Sequence, residues 1–403
     1  MHSVNIHKVI SRLISVLYRI GFWHHGDKIT RTKLGMQTFY SVYYSFFTYT
    51  LALGAFKSEN VSESIFAAEV SIAVGVLVVK LWVLMRNQKQ ILNLLDRICV
   101  FSIQYGDDFR FFNQKLGKFM TFATAFLCAS TMACVIEVIV FPIIYRNERT
   151  LIYDIEFPLF DWRKNKIVYW IAYIFLGTEL FITLIVLVFS VMVWYIILVC
   201  SLRYQVLARE IRKMGSTMEE NGSLKFSKME KCDHFVLELE KSIHDHINLR
   251  RLIEKLASLT SNLFLIQFAT SGLCICGSIY GLAFDTTNNF AKTMVHVYTM
   301  FYHISELFMI TYLGNEILVS SDRLTYSLFE SNWVEQPQST KTCMLIFAEY
   351  SKEPHQLLVA KLYPLTLETF RRVSGAFDPS VSSNISITDF KVSLQPIQHF
   401  EKH

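Results

Sequence analysis

Uninterrupted apolar runs constrain this chain more than any other feature of its sequence. Residues 34–56 contain no Asp, Glu, Lys or Arg over 23 positions, and residues 256–284 contain none over 29. An α-helix needs about 20 predominantly apolar residues to cross the hydrocarbon core of a bilayer. Only 18% of the residues are charged, whereas a soluble domain carries about 25%. The sequence therefore predicts an all-α polytopic membrane protein rather than a set of soluble domains.

Six runs of the sequence are long and apolar enough to form membrane helices. They are residues 34–56, 64–85, 119–145, 167–202, 256–284 and 293–321. The fourth run alone has 36 residues, which corresponds to about 54 Å of helix at about 1.5 Å per residue. Because the hydrocarbon core is only about 30 Å thick, we expect the fourth helix to tilt or to continue outside the membrane.

Basic residues are distributed unevenly between the predicted spans. Residues 1–33, 86–118 and 203–255 contain six, six and eleven Lys and Arg residues, whereas the connections on the other side contain one, five and one. Loops that are rich in Lys and Arg stay in the cytoplasm. The sequence therefore predicts a multi-pass membrane protein with a cytoplasmic N-terminus. A G-protein-coupled receptor has the opposite orientation, so the pattern argues strongly against that class.

The segments between the spans have helical patterns of their own. Residues 1–33 lack the continuous apolar core and the cleavage site of a signal peptide, and they predict a cytosolic amphipathic segment. In residues 203–255, apolar side chains recur at alternating spacings of three and four, which is typical of helices packed in a bundle. We expect a cytosolic helical anchor here; a lone amphipathic helix on the membrane surface is the alternative. The side chains of this seam are Met229, Cys232, Val236, Leu239, Ile243 and His246.

The sequence lacks the usual catalytic and cofactor-binding motifs. It contains no glycine-rich phosphate loop, no His-Glu-x-x-His and no Gly-x-Ser-x-Gly. His244 and His246 do not make a metal-binding pair, because residues two apart do not share a helix face. We therefore expect no enzyme activity, no cofactor, no bound metal and no nucleic-acid partner.

Charged residues inside the predicted spans are candidates for function, because a charge in a bilayer is costly. We interpret each of them first as a structural hydrogen-bonding group and second as a ligand contact. Gly277 and Gly281 lie four residues apart in the fifth span and predict close packing of another helix. The charged or titratable residues within the spans are Glu69, Glu137, Glu179, Glu306, Glu316, Lys80 and His303.

The predicted outer ends of the spans are rich in aromatic and apolar side chains. An aromatic, mostly apolar pocket suits a small volatile molecule; contact with lipid or ordinary core packing is the alternative for each residue. Asn60, in Asn60-Val61-Ser62, falls in the first outer loop and is a glycosylation candidate. The candidate ligand-binding residues are Phe66, Val70, Ala73, Met132, Ile136, Tyr169, Tyr173, Gly177, Tyr298 and Phe301.

Three stretches of the chain resemble insect odorant receptors. The stretch "EFPLFDWRKNKIVYWIAYIF" (156–175) is similar to the second outer loop and fourth helix of that family. The stretch "TYLGNEILVSSDRLTYSLFESNWVE" (311–335) is similar to its sixth helix, and "LIFAEYSKEPHQLLVAKLYPLTLETF" (345–370) resembles the segment that leads into its seventh. The likeness covers residues 1–372.

The resemblance implies a seven-helix receptor for small volatile odorants. It implies a ligand-tuning subunit that forms a hetero-tetramer with the odorant receptor co-receptor in the lipid membrane. Such an assembly is a ligand-gated, non-selective cation channel that serves sensory transduction in olfactory neurons. The resemblance assigns residues 34–202 to helices one to four, 256–321 to helices five and six, and 322–372 to the anchor and the start of helix seven. The alternative is a six-helix transporter-like protein that binds a small apolar substrate.

Residues 373–403 depart from the pattern of the family. There the segment "LETF" continues into a seventh membrane helix, whereas this chain continues as "RRVSGAFDPSVSSNISITDFKVSLQPIQHFEKH". Pro379, Pro396, the serines and the charges are incompatible with a membrane span. We expect the seventh helix to be truncated here, or replaced by an atypical polar C-terminal tail.

Overall fold

The computed structural model describes residues 2–24, 31–58, 60–140, 151–215 except 152, 154 and 159, 228–284, 290–360 and 363–375. These residues form mostly long helices. The helices are α1 (Lys8–Ile20), α2 (Arg31–Lys57), α3 (Val61–Arg86), α4 (Gln88–Cys99), α5 (Gly106–Val135), α6 (Lys166–Arg212), α7 (Lys228–Phe284), α8 (Phe290–Phe329), α9 (Gln338–Ser351) and α10 (Leu367–Gly375). A π-helical turn, Ile136–Val140, continues α5. The short strands are β1 (His2–Val4), β2 (Phe101–Ile103), β3 (Leu358–Val359) and β4 (Tyr363–Pro364).

The predicted membrane spans lie within α2, α3, α5 with its π-helical turn, α6, α7 and α8, so the all-α architecture is confirmed. Within the described residues, α3, α5, α6 and α7 are long and apolar enough to cross a membrane. The helices α2 and α8 form as expected, but their Tyr, Ser, Thr and charged side chains make them less apolar. The helix α5 begins at Gly106, well before the predicted start at residue 119. The span predicted to residue 145 ends outside the described residues.

The helix α6 is the centre of the bundle. It contacts α1, α2, α3, α4, α5, α7 and α8. A helix that is apolar on every side is stable only when other helices surround it, and α6 has this composition over most of its 47 residues. The large side chains of Trp194, Tyr195 and Tyr204 are accordingly buried. The predicted continuation of this helix beyond the membrane is present, since α6 runs without a break to Arg212.

A second hydrophobic core lies where the ends of α6 and α8 meet the start of α7 and the helix α9. This arrangement agrees with a bundle rather than a lone surface helix. Its cytosolic location stays a prediction. The buried residues of this second core are Leu207, Ala208, Ile211, Met214, Phe235, Leu239, Leu324, Leu328, Met344, Phe347 and Ala348.

The buried seam of α7 differs in register from the predicted one. The spacing of three and four is right, and Leu239 and His246 are buried. However, the seam begins at Phe235, which is fully buried, while Val236 is 41% exposed and Met229 is 77% exposed. Leu239 and His246 belong to both patterns, whereas Phe235 replaces Val236, because the larger side chain removes more apolar surface from water when it is buried.

The N-terminal segment contains the predicted amphipathic helix and a strand that was not predicted. The strand β1 pairs antiparallel with β2, with His2 opposite Ile103. The helix α1 buries Ile10 and Leu17. The backbone N–H of His7, just before α1, donates to the Tyr195 hydroxyl on α6 at 3.1 Å. These contacts dock the segment onto the bundle.

The C-terminal part of the described chain packs closely against α8. The strands β3 and β4 form a small hairpin, and the Leu365 N–H then donates to the Leu357 carbonyl at 2.7 Å. A Cβ atom on Gly314 would lie 2.5 Å from the Leu365 carbonyl oxygen. Only glycine permits this approach. The helix α10 ends at Gly375, and the predicted polar tail, apart from residues 373–375, lies outside the described residues.

Candidate ligand-binding site

A cavity of about 90 Å³ lies between α3, α5, α6 and α8. An apolar cavity of about 150 Å³ engineered in another protein binds benzene, so this cavity is somewhat smaller than one that holds an aromatic ring. The lining is mostly apolar and aromatic. It consists of Phe47, Val70, Ala73, Val74, Leu77, Cys134, Glu137, Tyr153, Leu180, Thr183, Leu187, Tyr298, Thr299, Tyr302 and His303.

Helical spacing brings the lining residues of each helix to one face. On α3, Val70, Val74 and Leu77 are spaced four and three residues apart, and all three line the cavity. Tyr298 and Tyr302 repeat the same spacing on α8. Because the cavity lies where these faces converge, most of its walls are set by the packing of the long helices.

The segment that precedes α6 closes the cavity at one end. Tyr153 lines the cavity and is buried, and its ring stacks on Phe66 at a centroid distance of 6.1 Å. The Trp162 indole N–H donates to the Ile155 carbonyl at 2.7 Å. The Glu156 N–H donates to the Thr50 carbonyl at 3.1 Å, which attaches the segment to α2. The connection that the sequence places outside the membrane thus contributes a wall of the cavity.

A carboxylate and several hydroxyls give the cavity its polar character. The Tyr153 hydroxyl donates to Glu137 Oε2 at 3.1 Å. The hydroxyls of Thr183 and Tyr44 lie 2.7 Å apart and share a hydrogen bond. His303 Nδ1 lies 3.0 Å from the Ser271 hydroxyl. The cavity is therefore a mainly apolar space with a small number of fixed polar groups, which is typical of small-molecule sites.

A buried ion pair lies directly beyond the cavity wall. Lys80 on α3 pairs with Glu306 on α8, and their side chains are only 3% and 1% exposed. The Ser190 hydroxyl on α6 donates to Glu306 Oε1 at 2.8 Å and accepts from Lys80 Nζ at 3.1 Å. Lys80 Nζ also donates to the hydroxyl of Tyr302, a lining residue, at 3.4 Å. The ion pair thus links three helices and contacts the cavity wall.

A second buried cluster joins α3, α7 and α8. Glu69 Oε2 lies 3.1 Å from His296 Nδ1, and the Ser278 hydroxyl donates to Glu69 Oε1. A Cβ on Gly277 would lie 3.2 Å from Glu69 Oε2, and one on Gly281 would overlap the His296 ring. The close packing predicted at these two glycines is confirmed, and it accommodates polar side chains of both neighbouring helices.

The remaining intramembrane acids differ in their surroundings. Glu316 Oε2 accepts from Gln205 Nε2 at 3.3 Å, which fits the structural interpretation. Glu179 is fully buried, and neither of its oxygens has a hydrogen-bond partner within the described part of the chain. Glu137 lines the cavity. Glu69, Glu306 and Glu316 therefore have the predicted structural role of hydrogen-bonding groups, whereas Glu179 does not.

The structure brings some of the predicted ligand-binding residues together. Val70, Ala73 and Tyr298 line the cavity. Phe66 adjoins it through Tyr153 and also contacts the His296 ring at a centroid distance of 5.0 Å. The ligand contacts themselves stay a prediction.

Other predicted residues lie away from the cavity. The Tyr173 hydroxyl donates to the Val138 carbonyl, and a Cβ on Gly177 would lie 3.9 Å from Val138 Cγ1. These two residues therefore join α6 to the π-helical turn. Tyr169 is half-buried, with its ring centroid 6.3 Å from that of Trp162.

Three predicted residues point out of the bundle. Met132, Ile136 and Phe301 are 59%, 52% and 59% exposed, and none of them lines the cavity. Successive residues are rotated by about 100° around a helix. Because Glu137 and Tyr302 face the cavity, their neighbours Ile136 and Phe301 face the surrounding lipid.

Sequence reasoning missed several lining residues for identifiable reasons. Leu180, Thr183 and Leu187 are spaced three and four apart, but they lie inside a helix that is apolar on every side, so periodicity does not single them out. Tyr153 lies in a connection without any repeating pattern.

Asn60, the glycosylation candidate, is exposed, and its side-chain oxygen accepts from the Ser62 N–H at 3.1 Å as the N-cap of α3.

The fold and the cavity define a class of protein: a polytopic helical membrane protein with a mostly apolar cavity between its helices. Comparison with known proteins then identifies the family. The family model described as 7tm Odorant receptor matches residues 60–376. The chain belongs to this odorant receptor family, which is a family of membrane receptors rather than of enzymes.

Individual relatives match over shorter stretches. Odorant receptor 23a of Drosophila melanogaster is 29% identical over 257 residues, which are 60% of each chain. Odorant receptor 10 of Aedes albopictus is 26% identical over 140 residues, which are 35% of this chain and 37% of the relative. Odorant receptor 33b of Drosophila melanogaster is 32% identical over 133 residues, or 33% and 35%. The chain thus spans less than two thirds of the length of these relatives.

Solved structures with the same fold match over nearly the whole chain. The insect olfactory receptor OR5 from Machilis hrabei superimposes with a TM-score of 0.76 at 14% sequence identity, covering 96% of this chain and 98% of that one. Its complex with eugenol superimposes with a TM-score of 0.75 at 16% identity and the same coverage. The seven-helix receptor type predicted from the sequence is confirmed as the fold class.

Proposed function

We propose that this protein is an odorant receptor that binds small volatile molecules in the cavity between α3, α5, α6 and α8. The mostly apolar, aromatic cavity lined by Tyr153 carries this proposal. Such a site binds by shape and by apolar burial, which suits volatile molecules with few polar groups. The eugenol complex of the Machilis hrabei receptor supports the same ligand size, since that protein shares the fold.

We further propose that the protein acts with the odorant receptor co-receptor in a hetero-tetramer. In this assembly, ligand binding opens a non-selective cation channel in the plasma membrane of olfactory neurons. Apolar side chains on the outside of the second core support an interface at this end of the bundle. Leu237, Tyr326 and Ile346 are 68%, 65% and 66% exposed there.

The proposed orientation has a cytoplasmic N-terminus. The excess of Lys and Arg in residues 1–33, 86–118 and 203–255 supports it. The second core then lies in the cytosol as the anchor. The proposed organisation is a cytosolic segment at 1–33, membrane helices at 34–202 and 256–321, anchor segments at 203–255 and 322–372, and the polar tail at 373–403.

The test is to fill the cavity. Ala73→Phe places a ring into the lining, whereas Ile72→Phe makes a similar change at the adjacent position, which is 38% exposed on the outside of the bundle. We expect Ala73→Phe to abolish odorant-evoked current in cells that also express the co-receptor, with surface expression retained. We expect Ile72→Phe to leave the current unchanged. Ion-coupled uptake of a substrate without the co-receptor would instead identify a transporter.

A further inference from the structure

The cavity contains one feature that apolar burial does not explain, the carboxylate of Glu137. Glu137 lines the cavity, and its Oε2 accepts a hydrogen bond from the Tyr153 hydroxyl at 3.1 Å. A carboxylate has about four lone-pair sites. Among the described residues, Tyr153 supplies the hydrogen bond that Glu137 receives. Its remaining acceptor capacity is open to a molecule in the cavity.

The backbone around Glu137 is built to hold this side chain in place. Glu137 lies in the π-helical turn Ile136–Val140, and such turns are rare and frequently occur at functional sites. The Tyr173 hydroxyl donates to the Val138 carbonyl in this turn. The helix α6 therefore fixes the turn that carries Glu137.

The charges near the cavity favour a ligand that donates a hydrogen bond. The described lining residues include no Lys or Arg. The nearby cation of Lys80 is paired with Glu306 beyond the wall formed by Tyr302. His303 also lines the cavity, and its Nδ1 lies near the Ser271 hydroxyl. Glu137 therefore has no Lys or Arg partner among the described lining residues. A buried carboxyl group with unused acceptor sites forms a favourable hydrogen bond with a donor, because an unmet buried polar group costs free energy.

We propose that Glu137 selects odorants that bear a hydroxyl group on a small aromatic body, accepting the hydrogen bond of that hydroxyl. This inference rests on the proposed function, because it concerns the ligand of the same cavity. The rings of Phe47, Tyr153, Tyr298 and Tyr302 pack around the aromatic body. Small aromatic alcohols and phenols are therefore the ligand class, and ethers or hydrocarbons of the same size bind more weakly.

The experiment measures binding to the purified full-length chain in lipid nanodiscs by isothermal titration calorimetry. The probes are benzyl alcohol, toluene and benzyl methyl ether. Toluene is slightly smaller than the alcohol and the ether is slightly larger, and neither can donate a hydrogen bond. We expect the alcohol to bind about tenfold more tightly than both, as follows from one hydrogen bond to a buried acceptor. Glu137→Leu should remove this preference, so that the alcohol no longer binds more tightly than toluene.

Two further variants separate the hydrogen bond from the integrity of the fold. Glu137→Gln keeps the shape of the side chain but leaves one acceptor oxygen instead of two, so the preference for the alcohol should shrink while the protein stays folded. Tyr153→Phe removes the competing donor, so the preference should persist. Equal binding of all three probes to the wild type, or an undiminished preference in Glu137→Leu, would overturn this inference alone. Failure of all three probes to bind would count against the proposed function itself.

Discussion

At the scale of single residues, the buried ion pair of Lys80 and Glu306 dominates the interior of the bundle. Both charges are almost completely removed from solvent. A buried charge is tolerable only when a partner and further hydrogen bonds compensate it, and Ser190 and Tyr302 supply those bonds. The two residues are 226 positions apart in the chain, so the pair forms only when α3 and α8 are already packed.

Breaking this pair on one side should strongly destabilise the protein. We expect Lys80→Met or Glu306→Gln to cost about 3–5 kcal/mol, because one buried charge is left without a partner. The double variant Lys80→Met/Glu306→Met should recover much of this loss. Lys352→Met is the exposed control, since Lys352 is 70% exposed beside Glu349. The measurement is the melting temperature of the purified protein; equal effects at Lys80 and Lys352 would contradict the expectation.

A histidine outside the membrane makes stability depend on pH. Burial, together with the positive charge of Arg250, lowers the pKa of His355 from 6.5 to about 4, against the opposing influence of Glu254. The backbone N–H of His355 donates to the Ser321 hydroxyl at 2.9 Å and so attaches this segment to α8. The unfolded chain takes up a proton near pH 6.5, whereas the folded chain resists protonation until about pH 4.

Stability should therefore fall as the pH is lowered from about 6.5 to about 4 and stay constant above this range. The loss is about 1–3 kcal/mol, since one pKa unit corresponds to about 1.4 kcal/mol and the ring is partly exposed. His355→Gln should reduce the slope of the pH profile of the melting temperature in this window; His246, whose pKa burial also lowers to about 4, supplies a further part of the slope. The exposed His244→Gln is the control and should leave the profile unchanged. A flat profile in the wild type would refute the assignment.

At the scale of elements, α8 connects the cavity to the second core. Near its start, α8 carries Tyr298, which lines the cavity. Near its end, α8 buries Leu328 in the second core. Between them, Ser320 lies within hydrogen-bond distance of both Ser201 and Gln205 on α6. With 40 residues, α8 is about 60 Å long at about 1.5 Å per residue. A single continuous helix therefore contributes to both the cavity and the second core.

The contact between α8 and the C-terminal hairpin depends on Gly314. We expect Gly314→Ala to destabilise the protein by about 1–3 kcal/mol, because the added methyl group would overlap the Leu365 carbonyl. Gly117→Ala is the matched control: it also lies within a helix, and an added Cβ there would meet no atom within 4 Å. This control should gain up to about 1 kcal/mol from helix propensity. Melting temperatures and the rate of proteolysis after residue 352 measure both effects.

At the scale of the whole molecule, two hydrophobic cores share three continuous helices. The helices α6, α7 and α8 each run from the main core into the second core. The helix α6 is central, because α1–α5, α7 and α8 all pack against its apolar surface. If the basic segments are cytoplasmic, the two cores lie on different sides of the membrane boundary, one within the bilayer and one in the cytosol.

The proposed orientation predicts which lysines are accessible on intact cells. Lys164 and Lys352 are 84% and 70% exposed, and each lies near an acid three residues away. We expect a membrane-impermeant amine reagent to label Lys164 on intact cells and Lys352 only after permeabilisation. Mass spectrometry of the same sample measures both sites. The reverse labelling pattern would show that the N-terminus is outside.

The sequence alone determined the helical architecture of this protein. Each span satisfies its backbone hydrogen bonds internally, so an apolar run such as residues 34–56 specifies a helix without reference to the rest of the chain. The length of the fourth apolar run predicted the continuation of α6, and the spacing of apolar residues predicted the seam of α7. Both signals depend only on nearby residues. Gly314 lies in the stretch 311–335 that resembles the family, but the resemblance gives this glycine no role. Its role follows from the tertiary structure, in which the Leu365 carbonyl packs against it.

The tertiary structure alone decided which side chains face the cavity. A helix that is apolar on every side has no preferred face, so the sequence could not distinguish Glu137 from the neighbouring Ile136, which is exposed. The partners of buried charges, such as Lys80 and Glu306, are separated by most of the chain, and no local pattern pairs them. Tyr153 reaches the cavity from a connection without periodicity. Rotation of helices and contacts between distant segments are set by packing, and packing is a property of the whole fold.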